Sequence, residues 1–499
     1  MRRIPLLTLG AVASAAMMAL SLPPWSLAFL APVALAPLLF SLGHESDGKA
    51  RFLTGWLAGF LYWTAVCYWI GGVLANYGGL NGPLAVLAVI LFALAKGLHL
   101  AVFAWMAGPL LKRWWAIPAI AALWTGLERT HAPLGFPWLQ LGNAGIEMAL
   151  PLRLAQVVGV YGLTFIFAAT ATGAALAALK RPRKQLAWLG GIVLLWVLPA
   201  VETGKAPNRQ AAVLQPNFSA DQVWTGEEKE RMLRQTSYLT LAEALDPERA
   251  AVDLVVWPEA PAPLYYYNDE AFRSQAGTLA RLAAAPFLFG GVAYTAEREP
   301  LNSAILLDGR GRLAARYDKR ILVPFGEYIP WGFGWIEKIS TEAGNYAAGT
   351  TPGRLLAGNR SVGVFICYES AFPHLVREVA ALNAPVLVNL TNDGYFGKSN
   401  GPRSQHVMLA RMRAVENRRW LLRVSNDGLT ASIDPAGRVH DALPEFTRTA
   451  GRLRYAEIRE KTMYARFGDW FAWMCLVLGA GLWLAAQMPV YRPVPRPPQ

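Results

Sequence analysis

Three side chains with reactive groups stand at or near the ends of apolar runs. Cys367 closes SVGVFI, Glu259 closes DLVVWP, and Lys319 lies in RYDKRILVPFGEYIP. A deprotonated thiol is a nucleophile, a carboxylate serves as a general base, and an ammonium stabilises an oxyanion. Each also has a plain structural account. Most free cysteines are small buried hydrophobes, and a solvated surface lysine is the commoner fate of a residue placed as Lys319 is, beside Arg316, Asp318 and Arg320. Residues 362–366 are apolar apart from one glycine, which suits a short buried strand. The strand ends at Cys367, and Tyr368, Glu369 and Ser370 turn into the amphipathic helical pattern AFPHLVREVAALNA. So close to a helix N-terminus, the thiol is expected to be held as thiolate.

The elements that must position these groups lie between about residues 206 and 466. Short apolar runs (QAAVLQ, DLVVWPE, FLFGGVAY, LNSAILLDG, PVLVNLTND, WLLRVSND) are separated by helical patterns such as EEKERMLRQTSYLTLAEAL and SQHVMLARMRAVENRR. Asp308 with Gly309, and the segment 434–437, read as hairpin turns. Strands alternating with helices predict an α/β domain with a mixed sheet.

The remainder reads as membrane. A chain that is 54% hydrophobic and only 16% charged is not wholly soluble. Apolar stretches at 5–22, 25–42, 52–74, 83–111, 114–127, 154–179, 186–201 and 470–488 predict an α-helical transmembrane bundle of about eight spans, each crossing needing roughly 20 residues. The stretch 114–127, short and containing Pro118, is the weakest. With the N-terminus inside, the cytoplasmic segments hold twelve basic residues, among them Arg2, Arg3, Lys112, Arg113, Lys180 and Arg181, whereas the outer loops hold only Arg129 and Arg153. The net charge of +13 therefore records topology and gives no reason to expect nucleic acid. Both termini are predicted cytoplasmic and the α/β domain outside, periplasmic in a bacterium. The loop of Phe136, Pro137, Trp138 and Leu139 falls on that side, with an interfacial aromatic belt as its plain structural account. Lys96 and His99, costly in lipid, should face the bundle interior and pair structurally. Three cysteines imply no disulfide framework, and the scattered histidines imply no metal.

The order WPE, YDKRILVPFGEY, CYES resembles the Glu, Lys, Cys triad of the nitrilase superfamily of carbon-nitrogen hydrolases. With seven spans before the domain and one after it, and with LQPNFS, NLTNDGYFG and FPWLQ alongside, the whole chain resembles the apolipoprotein N-acyltransferase family. The resemblance implies a nitrilase-like α-β-β-α sandwich. It implies a transmembrane domain at 1–203, a periplasmic catalytic domain at 204–467, a final helix at 468–488 and a cytoplasmic Pro-rich tail at 489–499. Glu259 would be the base, Lys319 the oxyanion stabiliser and Cys367 the nucleophile, with Glu327, Tyr368 and Glu369 in support and Trp224 binding substrate. An acyl chain would pass from a bilayer phospholipid, through a thioester, to the α-amine of a diacylglyceryl-modified apolipoprotein in a bacterial inner membrane, with no cofactor. Candidate lids are 265–272 and 331–339. A membrane-tethered nitrilase-like amidase is the alternative.

Overall fold

Alternating apolar residues build two facing sheets in the computed structural model, which describes residues 3–219, 224–259, 265–329 and 345–488. The strands are β1 (Arg209–Gln215), β2 (Leu254–Val256), β3 (Phe287–Tyr294), β4 (Pro300–Leu307), β5 (Leu313–Asp318), β6 (Arg354–Ala357), β7 (Arg360–Ile366), β8 (Leu387–Thr391), β9 (Leu421–Ser425), β10 (Ala431–Ile433), β11 (Val439–His440) and β12 (Thr449–Tyr455). Where the sequence predicts a mixed sheet, the chain forms two, ordered β12-β1-β2-β3-β4-β5 and β11-β10-β9-β8-β7-β6. In each, three strands run parallel (β1 to β3, β7 to β9) and hairpins extend the edge. The two turns at 308–311 and 434–437 close antiparallel pairs β4–β5 and β10–β11.

The strands' period of two divides their side chains between layers. Val213, Val256 and Leu288 of the first sheet meet Val364, Ile366, Val388 and Leu422 of the second in the central layer. The opposite face of the first sheet, with Val255, Phe287 and Phe289, is covered by helices Gly226–Ala244 and Glu270–Ala283. The outer face of the second sheet, with Phe365, Leu387 and Leu421, packs under helices Pro373–Ala381 and Asn400–Asn417, and this layer runs without a break into the core of the amino-terminal half. The result is the α-β-β-α sandwich.

Among the described residues three helices are long and apolar enough to cross a membrane: Gly82–Leu110 and Val160–Ala178 in the amino-terminal half, and Trp470–Gln487 after the sandwich. The stretch read as one span at 52–74 is two helices, Gly48–Cys67 and Trp69–Asn76, bent by 55°. The aromatic residues at the bend are held by the sandwich: Tyr68 Oη lies 3.2 Å from Ser399 Oγ and Trp69 Nε1 donates to Gln405 Oε1 at 3.2 Å. Residues 25–42 form a 3-10 segment, Ala28–Val33, and a short helix, Ala36–Leu42, in keeping with prolines at 32 and 37. Residues read as a span at 186–201 form the 3-10 helix Arg183–Trp196. Gly55 and Gly59 let Gly48–Cys67 lie directly on Gly82–Leu110, since a Cβ at Gly59 would come 2.6 Å from Gly97 Cα. Lys96 is buried and paired: its Nζ is 2.6 Å from His131 Nδ1 and donates to Phe136 O at 2.8 Å, while His99 Nε2 meets Thr130 Oγ1 at 3.1 Å.

Gln405 joins the halves. Its Oε1 accepts from Trp138 Nε1 at 2.8 Å as well as from Trp69, and its Nε2 donates to Pro23 O at 3.0 Å and Val66 O at 3.1 Å. Trp138 is thus a buried docking residue, 2% exposed, not part of an interfacial belt. Gln405→Leu would remove the Gln405 partner of four polar groups, three of them buried. Stability should fall by about 3 kcal/mol, read as a lower thermal midpoint of the protein in detergent.

Candidate active site

The parallel strands end together, and so do the reactive groups. Glu259 follows β2, Lys319 follows β5, Cys367 follows β7, and Asn302 sits at the start of the antiparallel β4, which places it at the same end. Cys367 makes the turn from strand to helix: Ile366 is extended, Cys367 has φ +47°, and the 3-10 turn Cys367–Ala371 begins there. A non-glycine residue in that left-handed region costs about 1–2 kcal/mol and lifts the side chain out of the strand's alternation. The thiol packs against the central layer between the sheets.

Lys319 is 1% exposed. Its Nζ donates to Glu327 Oε1 at 2.9 Å and reaches Glu259 Oε1 at 3.4 Å, so Glu327 is the tighter partner. Burial works against the charge on Lys319, but the carboxylates of Glu327 and Glu259 outweigh it and hold its pKa well above the usual lysine value. The ammonium therefore stays charged. Asn302 Nδ2 bridges the two acids, donating to Glu259 Oε1 at 2.8 Å and Glu327 Oε1 at 2.7 Å, and Val323 N donates to Glu327 Oε2 at 2.7 Å. One oxygen is left over: Glu259 Oε2 is buried and has no hydrogen-bond partner among the described residues. Burial, and then the Glu259 charge, push the Cys367 thiol up to about 12, against the opposing pull of Lys319. The thiolate expected from the helix terminus is thus reversed: desolvation exceeds a dipole whose effect fades within one turn. Near neutral pH the resting group is a thiol that needs a base.

Glu369 fastens this end of the sandwich from within. It is fully buried and accepts from Tyr317 Oη at 2.7 Å, Arg320 N at 2.7 Å, Ile321 N at 3.2 Å and Ile366 N at 2.7 Å, tying the segment after Lys319 to the strand before Cys367. Burial pushes its carboxyl up, and these donors and Lys319 work the other way. Tyr368 turns toward the amino-terminal half, where its Oη donates to Gly135 O at 2.8 Å and its ring stacks on Trp138. In Glu369→Gln an amide donor would face one of these four donors. The expected cost is about 2–3 kcal/mol, measured as a lower thermal midpoint.

Comparison with known sequences matches residues 14–173 to the apolipoprotein N-acyltransferase N-terminal domain and residues 210–466 to the carbon-nitrogen hydrolase domain. The apolipoprotein N-acyltransferase of Geobacter metallireducens is 33% identical over 95% of this chain and 94% of its own, and that of Azotobacter vinelandii is 34% identical over 93% and 91%. The chain belongs to the apolipoprotein N-acyltransferase family. Among solved structures, an amidase from Nesterenkonia sp. is similar over 53% of this chain and 95% of its own, at 20% identity and a TM-score of 0.39.

Of the other residues singled out in this member of the apolipoprotein N-acyltransferase family, Trp224 is half-buried, its ring edge-on to Phe218 at 5.1 Å, outside the cluster around Lys319. Phe218 in turn bonds Asn426, which bonds Asn392 after β8. The segment 265–272 is largely anchored: Tyr266 and Phe272 pack in the outer core of the first sheet, and Tyr265 is exposed. The segment 331–339 and the tail 489–499 lie outside the described residues. Sequence reading passed over Asn302, which lies within the apolar run LNSAILLDG. It passed over His406, Asp393 and Arg423 as well, although a histidine, an aspartate and an arginine in otherwise apolar or helical stretches are a signal of buried pairing.

Proposed function

We propose that this protein transfers an acyl chain from a membrane phospholipid to the α-amine of the diacylglyceryl-cysteine that begins an apolipoprotein, by a ping-pong route through a thioester on Cys367. The observation that carries the reading is a half-buried Cys367 thiol held neutral by burial and by the charge of Glu259, whose Oε2 has no hydrogen-bond partner among the described residues, together with a lysine kept charged. Glu259 Oε2 takes the thiol proton as sulfur attacks the ester carbonyl. Lys319 and nearby backbone N–H groups stabilise the oxyanion. Collapse breaks the ester C–O bond, the protonated Glu259 returns its proton to the departing lysophospholipid oxygen, and the acyl group remains on sulfur. The incoming amine then attacks the thioester, Glu259 accepts a proton from nitrogen, and collapse breaks the C–S bond, Glu259 handing that proton to the departing sulfur to restore the thiol and leave an amide. Glu327 and Asn302 keep Glu259 and Lys319 in register, Tyr368 and Glu369 hold the cysteine turn, and Trp224 meets substrate at the rim.

Lipid-borne substrates account for the architecture. Apolar side chains stand exposed along the long helices, among them Val86, Leu87 and Leu91 on one and Trp473, Val477 and Leu484 on another, as a lipid-facing surface requires. On this reading residues 1–203 and 468–488 supply about eight spans in the bacterial inner membrane, 204–467 form the periplasmic catalytic domain, and both termini are cytoplasmic. The deciding experiment is intact mass spectrometry after incubation with phospholipid vesicles. An acyl adduct on Cys367 that hydroxylamine removes, and that an N-terminal S-diacylglyceryl-cysteine peptide discharges as its amide, is expected. Active enzyme that never carries the adduct defeats the proposal.

A further inference from the structure

Beneath the cysteine turn lies a buried polar cluster that the reaction above does not use. His406, on the helix Asn400–Asn417, is fully buried, and its Nε2 is 3.0 Å from the carbonyl oxygen of Cys367. Its Nδ1 is 3.0 Å from Asp393 Oδ1. Arg423 Nη2 donates to both oxygens of Asp393, at 2.9 and 2.7 Å, and lies 3.3 Å from His406 Nδ1. Arg423 Nη1 is fixed in turn by Leu429 O at 2.6 Å. The His406 ring is flanked by Trp138 and Phe396. All three polar side chains are buried between the second sheet and the amino-terminal half.

Burying an aspartate, an arginine and a histidine together is costly, and apolar packing of the same volume would stabilise the fold as well or better. What the trio provides is direction. A carbonyl accepts, so Nε2 must donate to it. Asp393, whose carboxyl Arg423 and His406 hold well below the usual range in spite of its burial, fixes the ring through Nδ1. The peptide between Cys367 and Tyr368 is planar, with its C=O and N–H opposed. His406 draws the carbonyl toward the outer helix layer, so the Tyr368 N–H points the other way, toward the first sheet that carries Lys319 and Glu259. The opening N–H groups of a helical turn have no partner within it, and among the described residues the Tyr368 N–H bonds to no backbone oxygen outside it, so it can face a ligand. The φ of +47° at Cys367 is a conformation that persists only where its surroundings over-determine it.

We propose that His406, oriented by Asp393 and Arg423, is a positioning residue that sets the plane of the Cys367–Tyr368 peptide, so that its N–H and Lys319 share the oxyanion. The inference rests on the reading of Cys367 as the acyl carrier. It separates two reactions of one thiol: acylation builds an oxyanion, whereas displacement of iodide from iodoacetamide does not.

The experiment compares wild type, His406→Phe, which keeps a buried ring without the donors, and His406→Gln, which keeps one donor. Single-turnover acylation from phospholipid should slow about 100-fold in H406F, with alkylation of Cys367 within about twofold of wild type and about tenfold recovery in H406Q. Acylation and alkylation falling in parallel, or acylation unchanged, would overturn the role. If H406F does not fold, H406Q and Asp393→Asn carry the test, the latter expected to slow acylation about tenfold while alkylation holds. Wild type that alkylates at Cys367 yet never acylates there defeats the acyl-carrier reading and this inference with it. Wild type that acylates while the variants match it defeats the inference alone.

Discussion

Cys367→Ala should lower acyl transfer by about 10⁵-fold or more, since losing a nucleophile removes the whole covalent path and not one contact within it. The substitution is mild for the fold. Alanine keeps the Cβ in the left-handed turn, and the neighbouring ties of Glu369 and Tyr368 do not pass through the thiol. The variant should therefore melt close to wild type, still bind phospholipid vesicles and release no lysophospholipid. Cys367→Ser should do scarcely better. A hydroxyl ionises with more difficulty than a thiol already pushed up to about 12, and serine would form an oxygen ester of lower reactivity toward the amine. Lysophospholipid release by C367A at more than a hundredth of the wild-type rate would end the proposal.

The second large effect is expected from Glu259→Gln, and it carries a sign in pH. With its thiol near 12, Cys367 is ionised to about one part in 10⁴ at pH 8. Without the base the reaction must draw on that fraction, so activity near neutral pH should drop by about 10³–10⁴-fold. It should then climb about tenfold per pH unit as the thiol approaches its own ionisation. The Glu259 charge is itself one of the causes that hold the thiol up, so the rise should level off below 12. Lys319 keeps its nearer partner, Glu327, at 2.9 Å, which spares the variant an uncompensated buried charge. A pH–rate series in E259Q distinguishes the cases: a rate that does not rise with pH, or a loss under tenfold, removes Glu259 from the role of base.

The legible parts of this site are those whose meaning is local. Glu259 and Cys367 stand out because an apolar strand runs directly into a polar, reactive residue, and strand ends are where α/β folds present their chemistry. Tyr368 and Glu369 follow by adjacency. Asn302 and the His406, Asp393 and Arg423 trio do not stand out, because each acquires its meaning from residues 13 to 43 positions away that only the facing of sheets and helices brings near. The ionisation of Cys367 is the clearest reversal: helix proximity is visible in sequence, whereas the depth of burial that overrides it is a property of the assembled layers. Hydropathy places the long apolar segments, but apolar content does not separate a straight crossing from the bent pair at Tyr68 or from the 3-10 helix Arg183–Trp196. The bend at Tyr68 answers to partners in another part of the chain, and composition does not register them.

Gln405 and His406 are consecutive residues on one helix, about 100° apart around its axis, one bonded to the amino-terminal half and the other to the carbonyl of Cys367. The outer layer of the second sheet and the interior of the helical half are a single core. Residues 204–467 are therefore not an excisable enzyme. Cut away, that fragment would present Leu409, Met412 and Val415 to water, and the Cys367 turn would lose Trp138, on which Tyr368 is stacked. Solubilised domains of this kind should be sought by redesigning that face, not by moving the cloning boundary.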